Sequence, residues 1–287
     1  MTEISEEKQR ILRVYAKKFC GLSSPLECTK KPCTCGIAAE YRAIKKKIIP
    51  EKFCNFTIRD FHGKISNNAK LNSEVAIRAK KQVFQYCWKD ISLLDKLPLL
   101  SDIELDKYSV IADRIKNGQS VIIHGEPKRL VNRSSDQKTN SVTELPLGRT
   151  FIASIITNEA IKLRLNTGTR SLSYEWIDFS SFLQTLSSRE YINEEKMYYE
   201  SCDWLVIDDI SSSLLGASSA QQSFAHQVLD SFFARRTREK RPTVLVFKFD
   251  LNARRMDVEQ SFGVAIGRMI TDTNTFIIDL NESVVKE

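Results

Sequence analysis

From residue 120 onward the chain alternates short apolar runs with longer stretches of helical period. "SVIIH" (120–124), "SYEWIDF" (173–179), "WLVIDDI" (204–210), "TVLVF" (243–247) and "TFIIDL" (275–280) are rich in β-branched and aromatic residues. They read as strands, most of them apolar enough to be covered on both faces. Between them, "GRTFIASIITNEAIKLRLNTG" sets Phe151, Ile152, Ile155, Ile156, Ile161 and Leu163 along one stripe, with Gly168 as a stop. "SFLQTL" opens a second helix, and "QQSFAHQVLDSFFARRTRE" spaces Phe224, Val228, Leu229, Phe232 and Phe233 as a third. Strands and helices in alternation predict an α/β fold, a mainly parallel sheet with helices on both faces.

One stretch breaks the pattern. Residues 129–146 are rich in Ser, Asn, Asp, Gln and Thr, with no sustained apolar period, and read as a loop. A loop that long inside a compact domain is functional or marks a misassigned element. It lies between Gly125 and Gly148, which are separated by twenty-two residues where the P-loop pattern G-x-x-x-x-G-K-[ST] allows four. Arg149 stands where that pattern has lysine, and Thr150 keeps the hydroxyl position. Downstream, "WLVIDDI" ends in Asp208 and Asp209. In such sheets ligands sit beyond the carboxyl ends of the strands, where Gly125 and both aspartates fall. An aspartate ending an apolar strand after a P-loop is the Walker B arrangement: one carboxylate holds Mg²⁺ and its neighbour orients the attacking water. The plainer alternative is a polar strand terminus.

At 287 residues and 42% hydrophobic the chain can bury a full core, as one large domain or one domain with a small appendage. A formal charge of +7 favours an anionic partner such as nucleic acid. No run approaches the about 18 apolar residues of a membrane span, and the charged start "MTEISEEKQR" does not read as an export signal. Seven cysteines, four of them between Cys20 and Cys35, suit metal in a reducing compartment better than disulfides, and the cytoplasm is expected.

Several segments together carry a resemblance. "NGQSVIIHGEP", "GRTFIASIITNEAI", "LVIDDI" and "LDSFFARRTREKRPTVLVF" occur in this order, preceded by "CTCGIAAEYRAIKKKIIPEKFCNFTIRDFHG". Through them the sequence resembles the bacterial helicase-loader and insertion-sequence helper ATPases, the DnaC/IstB-type branch of the AAA+ proteins, over most of its length. The resemblance implies an AAA+ P-loop core over residues 67–287, with an insertion at about 128–146, and a cysteine-rich N-terminal module over 1–66. It implies ATP or ADP bound by Gly125, Gly148, Arg149, Thr150 and Arg268, with Mg²⁺ on Thr150 and Asp208. Asp208 and Asp209 would be catalytic. The implied partners are single-stranded DNA, a replicative helicase or related DNA-processing protein, and further subunits of the same or another chain.

Cys20, Cys28, Cys33 and Cys35 offer four thiolates for a tetrahedral Zn²⁺ that would crosslink a segment too short to bury its own core. Their spacing lacks a C-x₂-C knuckle, which leaves Cys54 as a spare ligand and ordinary reduced thiols as the alternative. Cys87 and Cys202 fall in helix and strand patterns and read as core. Two basic clusters, Lys45–Lys46–Lys47 and Arg235–Arg236–Arg238–Arg241, are candidates for nucleic acid or a subunit interface. Solvated helix ends favoured by the dipole explain them equally well. The three histidines have no partner at metal or catalytic spacing.

Three departures from the family pattern bear on turnover. A planar guanidinium at Arg149 cannot reach phosphate from the place of a lysine ammonium. "TVLVFKFD" puts Phe247 and Lys248 where relatives carry a Thr-Asn phosphate sensor, and "FGVAIGRMI" keeps Arg268 but has Val264 at the place of a trans-acting arginine. The expectation is weak nucleotide binding with slow hydrolysis. The alternatives are a non-hydrolysing adaptor or a transposition helper that partners a transposase.

Overall fold

A computed structural model describes residues 37–61, 73–100, 105, 108–126, 128–132, 141–145, 148–167, 172–187, 194–211 and 219–281. In chain order the strands are β1 (Val121–His124), β2 (Lys128–Asn132), β3 (Ser141–Leu145), β4 (Tyr174–Asp178), β5 (Trp204–Ile210), β6 (Thr243–Phe247) and β7 (Phe276–Asp279). The main helices are α1 (Ile37–Ile48), α2 (Ser73–Trp88), α3 (Leu93–Lys96), α4 (Ile111–Lys116), α5 (Arg149–Thr167), α6 (Phe179–Ser187), α7 (Glu194–Ser201), α8 (Ser219–Arg238), α9 (Arg255–Phe262) and α10 (Val264–Thr271).

Five strands form one sheet in the order β4-β5-β6-β1-β7, every pairing parallel. Alternate side chains point to opposite faces, and the apolar residues divide accordingly. Val121, Ile123, Val206, Val244, Val246 and Ile278 join a core with α1, α2, α4 and α5. Ile122, Leu205, Ile207, Leu245 and Phe247 join a second core with α6, α8, α9 and α10 on the other face. Because both faces are covered, β1 and β6 are buried along their whole length, as their unbroken apolar runs require. Cys87 and Cys202 are both buried, as their positions in the pattern predict.

The chain leaves the middle of the sheet after β1, reaches the edge at β4, and returns through β5 and β6 to β1's side before crossing to β7. The carboxyl ends of β1, β5 and β6 therefore meet where the strand order reverses.

Two expectations change. First, the stretch read as a structureless loop contains an antiparallel ribbon: β2 pairs with β3, with Lys128 opposite Leu145 and Asn132 opposite Ser141. Pairing across eight intervening residues is a non-local property, and "KRLVN" and "SVTEL" are too short to show a period of two. Second, α5 has more than one apolar stripe. It is buried on every side from Phe151 to Ile161, because residues 41–61 lie over the face it turns away from the sheet. Tyr41, Ile48, Ile49, Ile58 and Phe61 belong to the same core as α5, so the described part of the N-terminal segment is continuous with the sheet domain.

Burial on all sides forces the polar residues of α5 to find partners. The Trp204 indole N–H donates to Thr157 Oγ1 at 3.2 Å, and Lys162 pairs with the buried Glu159 at 2.7 Å. Asn158 ties down the covering segment: its amide donates to the Phe56 carbonyl at 3.2 Å, and its carbonyl accepts from the Tyr41 hydroxyl. Replacing Asn158 by Ala removes both of these hydrogen bonds, so Asn158→Ala is expected to cost about 1–3 kcal/mol, read as a lowered urea midpoint.

Candidate functional site

The site is built from the loop after β1, the start of α5, and the ends of β5 and β6. The pairing of Lys128 with Leu145 brings the two ends of the insertion together, so α5 begins, just after Gly148, close to Gly125. Gly148 has φ +73°, a conformation open to glycine without strain. Arg149 is buried, and its guanidinium donates to the Gly125 carbonyl. Arginine thus bridges the base of the loop, where a P-loop lysine would extend toward phosphate. The first two amides after β1 are also engaged: Gly125 N–H donates to the Phe249 carbonyl at 3.2 Å, and Glu126 N–H to Asn281 Oδ1 at 3.0 Å. The first amides of α5 have no acceptor within the helix and form an anion-favouring end.

The residue after Thr150 fixes this end. Phe151 is buried among Phe53, Phe56 and Phe61, with ring centroids 6.3, 5.1 and 5.7 Å away. The covering segment thereby clamps the first turn of α5 and carries Lys52 toward Asp208.

Asp208 lies across from the start of α5. Burial raises its pKa, and the nearby Thr150 hydroxyl and the charges of Lys248, Arg149 and Lys52 pull it back. The register of β5 against β6 shifts between Ile207 and Ile210, a bulge that contains both aspartates. Asp209 has φ +67°, and its N–H donates to Asp208 Oδ1 at 2.8 Å. Asp209 meets Lys248 in an ion pair.

Three cations of different origin thus act on one carboxylate: Lys52 from the N-terminal segment, Arg149 from the loop and Lys248 from β6's end. The arrangement suits a phosphate group. A magnesium ion there would have to compete with the Lys248 ammonium for Asp209.

No protein-family model matches this chain, and no curated protein does. Among solved structures it is similar to DnaI, at 14% identity over 83% of this chain and 97% of that one, TM-score 0.45. It is similar also to a candidate primosome component from Streptococcus pyogenes serotype M3, at 13% identity over 82% and 94%, TM-score 0.44. A third is the DnaC helicase loader, at 11% identity over 80% and 99%, TM-score 0.44.

The remaining candidates are dispersed. Arg268 is exposed on α10, which packs principally on α8 and α9, and Val264 is exposed at the start of the same helix. Cys20, Cys28, Cys33 and Cys35 lie outside the described residues. Among the described residues no group of His, Cys, Asp or Glu is arranged to hold a metal ion, and Cys54 is buried. Lys46 is exposed at the end of α1, whereas Lys45 folds over the Tyr41 ring at 4.9 Å and burial lowers its pKa.

Arg236 departs from the nucleic-acid reading. It is 1% exposed, and its guanidinium donates to the carbonyls of Tyr199, Cys202 and Pro242 and to Thr243 Oγ1. It joins α7, α8 and β6 and is not open to a phosphate backbone. Its neighbour Arg235 is half exposed and pairs with Glu200 at 2.5 Å and Glu239 at 3.0 Å. One helical step separates a surface arginine from an internal one, a difference that spacing alone does not reveal.

The structure also finds partners for His124. The ring is buried, with Nδ1 3.7 Å from Asp250 and 3.9 Å from Asp279, and it accepts from Leu251 N–H at 3.4 Å. Asn281, which holds Glu126, lies 3.4 Å from the same nitrogen. Burial lowers its pKa, and the two carboxylates oppose that shift.

Arg236→Met is expected to lose about 3 kcal/mol of stability by leaving several buried acceptors unpaired, measured by urea unfolding. Arg235→Ala should leave the midpoint unchanged. His124 is held neutral in the fold, so its contribution is complete above the ordinary value of 6.5 and is lost as pH falls from there through its lower folded value. His124→Asn should flatten the stability profile over that acidic range.

Proposed function

We propose that this chain is an AAA+ nucleotide-binding protein of the helicase-loader type, acting with a replicative helicase on single-stranded DNA. The observation that carries the reading is the convergence of the loop and the acid pair at the carboxyl ends of the central strands. Arg149, at the start of the helix that follows the glycine loop, is bonded to Gly125 after β1, and Asp208 and Asp209 close β5, one strand beyond β6. The sequence motifs on both sides of this pair, from "IIPEKF" to "KRPTVLVF", support the loader assignment. The phosphates of ATP or ADP would lie at the amino end of α5, among Lys52, Arg149 and Lys248.

Hydrolysis is slow in this reading. The Arg149 guanidinium is committed to the Gly125 carbonyl, and the acid that would orient water is paired with Lys248. The same two contacts favour a second reading, an adaptor that keeps the fold and binds nucleotide without turning it over. In either case the N-terminal cysteines would hold zinc and contact the partner, Lys46 would meet DNA, and Arg268 would complete the nucleotide site of an assembled oligomer.

Binding of fluorescent ADP and release of phosphate from ATP, each with and without single-stranded DNA, test the proposal on the purified full chain. Measurable binding that weakens at least about tenfold in Asp208→Ala is expected, with turnover well below the about 1 per second at the low end of ordinary enzymes. DNA-stimulated turnover would support the loader, and binding without turnover the adaptor. Absence of nucleotide binding would remove both.

A further inference from the structure

We propose that the Asn281 side chain is a two-position latch on the loop after β1, set by the charge on His124: beside a neutral imidazole it holds the Glu126 N–H, and beside an imidazolium it turns round and releases the loop.

Two backbone donors fix the arrangement. A main-chain N–H can only donate, so whatever it meets must accept. Leu251 N–H reaches His124 Nδ1 at 3.4 Å, which makes that nitrogen the bare one of a neutral ring whose proton is on Nε2. Glu126 N–H donates to Asn281 Oδ1 at 3.0 Å, so the Asn281 oxygen serves the loop and its NH₂ is left for His124 Nδ1, 3.4 Å away. One amide therefore reads the ring with one end and holds the loop with the other.

Protonation reverses both demands. With a hydrogen on Nδ1 the ring becomes a donor and stands against the NH₂ of Asn281, donor to donor. A half-turn about χ2, a soft two-fold torsion, gives the imidazolium the Asn281 oxygen and leaves Glu126 N–H facing an NH₂. The backbone of Asn281 stays in place, because its N–H donates to Asp279 Oδ1 at 2.8 Å and its carbonyl accepts from Arg78 of α2.

The charges around the ring let both states exist. Asp250, just after β6, and Asp279, on β7, lie 3.7 and 3.9 Å from Nδ1 and favour the imidazolium. Arg78, on the carbonyls of Asp279 and Asn281, and Arg149, on the Gly125 carbonyl, oppose it. Burial of the ring opposes it too and puts the turning point below the ordinary 6.5. The loop so held leads from β1 to the ribbon at the base of the site. If phosphate binds there, a clause that rests on the reading above, acid weakens nucleotide binding; the latch itself does not depend on that reading.

Hydrogen exchange on the full chain, each amide rate divided by its intrinsic rate at the same pH, follows the latch without nucleotide. The wild-type Glu126 amide is expected to lose about tenfold or more in protection between about pH 8 and about pH 5. His124→Asn, which keeps an acceptor near the place of Nδ1 and cannot charge, should stay protected at both, and Asn281→Ala should be unprotected at both. The Kd for fluorescent ADP at about pH 5 should be about tenfold weaker in the wild type than in His124→Asn, a comparison in which protonation of the ADP phosphates cancels. Wild-type protection that does not change with pH, an equal fall in His124→Asn, or a pH-dependent Asn281→Ala would overturn the latch. Equal ADP affinities at about pH 5 would overturn its link to the site. Should ADP bind to none of these proteins at either pH, the nucleotide reading fails, and the exchange measurement still decides whether Asn281 answers to His124.

Discussion

The site depends on one closure. Twenty-two residues leave the sheet after Gly125 and must return to the same place before α5 can begin opposite β5. Antiparallel pairing of β2 with β3 does this, because a ribbon returns the chain to its starting point whatever the length of its tip. A flexible loop would reach the same point at an entropic cost that grows slowly with length, but without fixing the direction in which α5 leaves. The Arg149 bond to the Gly125 carbonyl then locks the two ends together. Lysine has a single ammonium on a flexible stem. The arginine fork can be buried against a carbonyl, and that difference allows the substitution to serve closure here.

Closure accounts for the second feature of the molecule, the burial of α5. Once its start is fixed beside β1, its inner face packs on the sheet and its outer face is left apolar over three turns. Residues 41–61 cover that face, and their aromatic cluster around Phe151 sets the first turn at the point where phosphate would bind. The same segment delivers Lys52 to Asp208. Structure and electrostatics are coupled here: the residues that complete the core also supply positive charge to the site.

Much of this was legible in the sequence. The runs at 120–124, 173–179, 204–210, 243–247 and 275–280 predict strands that form within a residue of each expected end. Their legibility has a simple cause: a strand buried on both faces must be apolar throughout, and a central helix must be apolar over several turns. Asp208 and Asp209 were recognisable for the opposite reason, as charges closing an apolar run. The β2–β3 ribbon was not legible, because its pairing joins two pentapeptides of mixed character that are separated by eight residues of polar sequence.

The sequence by itself therefore determined the elements, the parallel layering and the positions of the loop and acid pair. All of these follow from local patterns of burial. Only the tertiary structure decided how charges are shared: that Arg236 is internal while Arg235 is on the surface, that Arg149 turns back onto Gly125, and that Lys248 meets Asp209. Those choices depend on which side chains converge from distant segments. A charged residue reads the same in a sequence whether water, a carbonyl or a carboxylate is waiting for it.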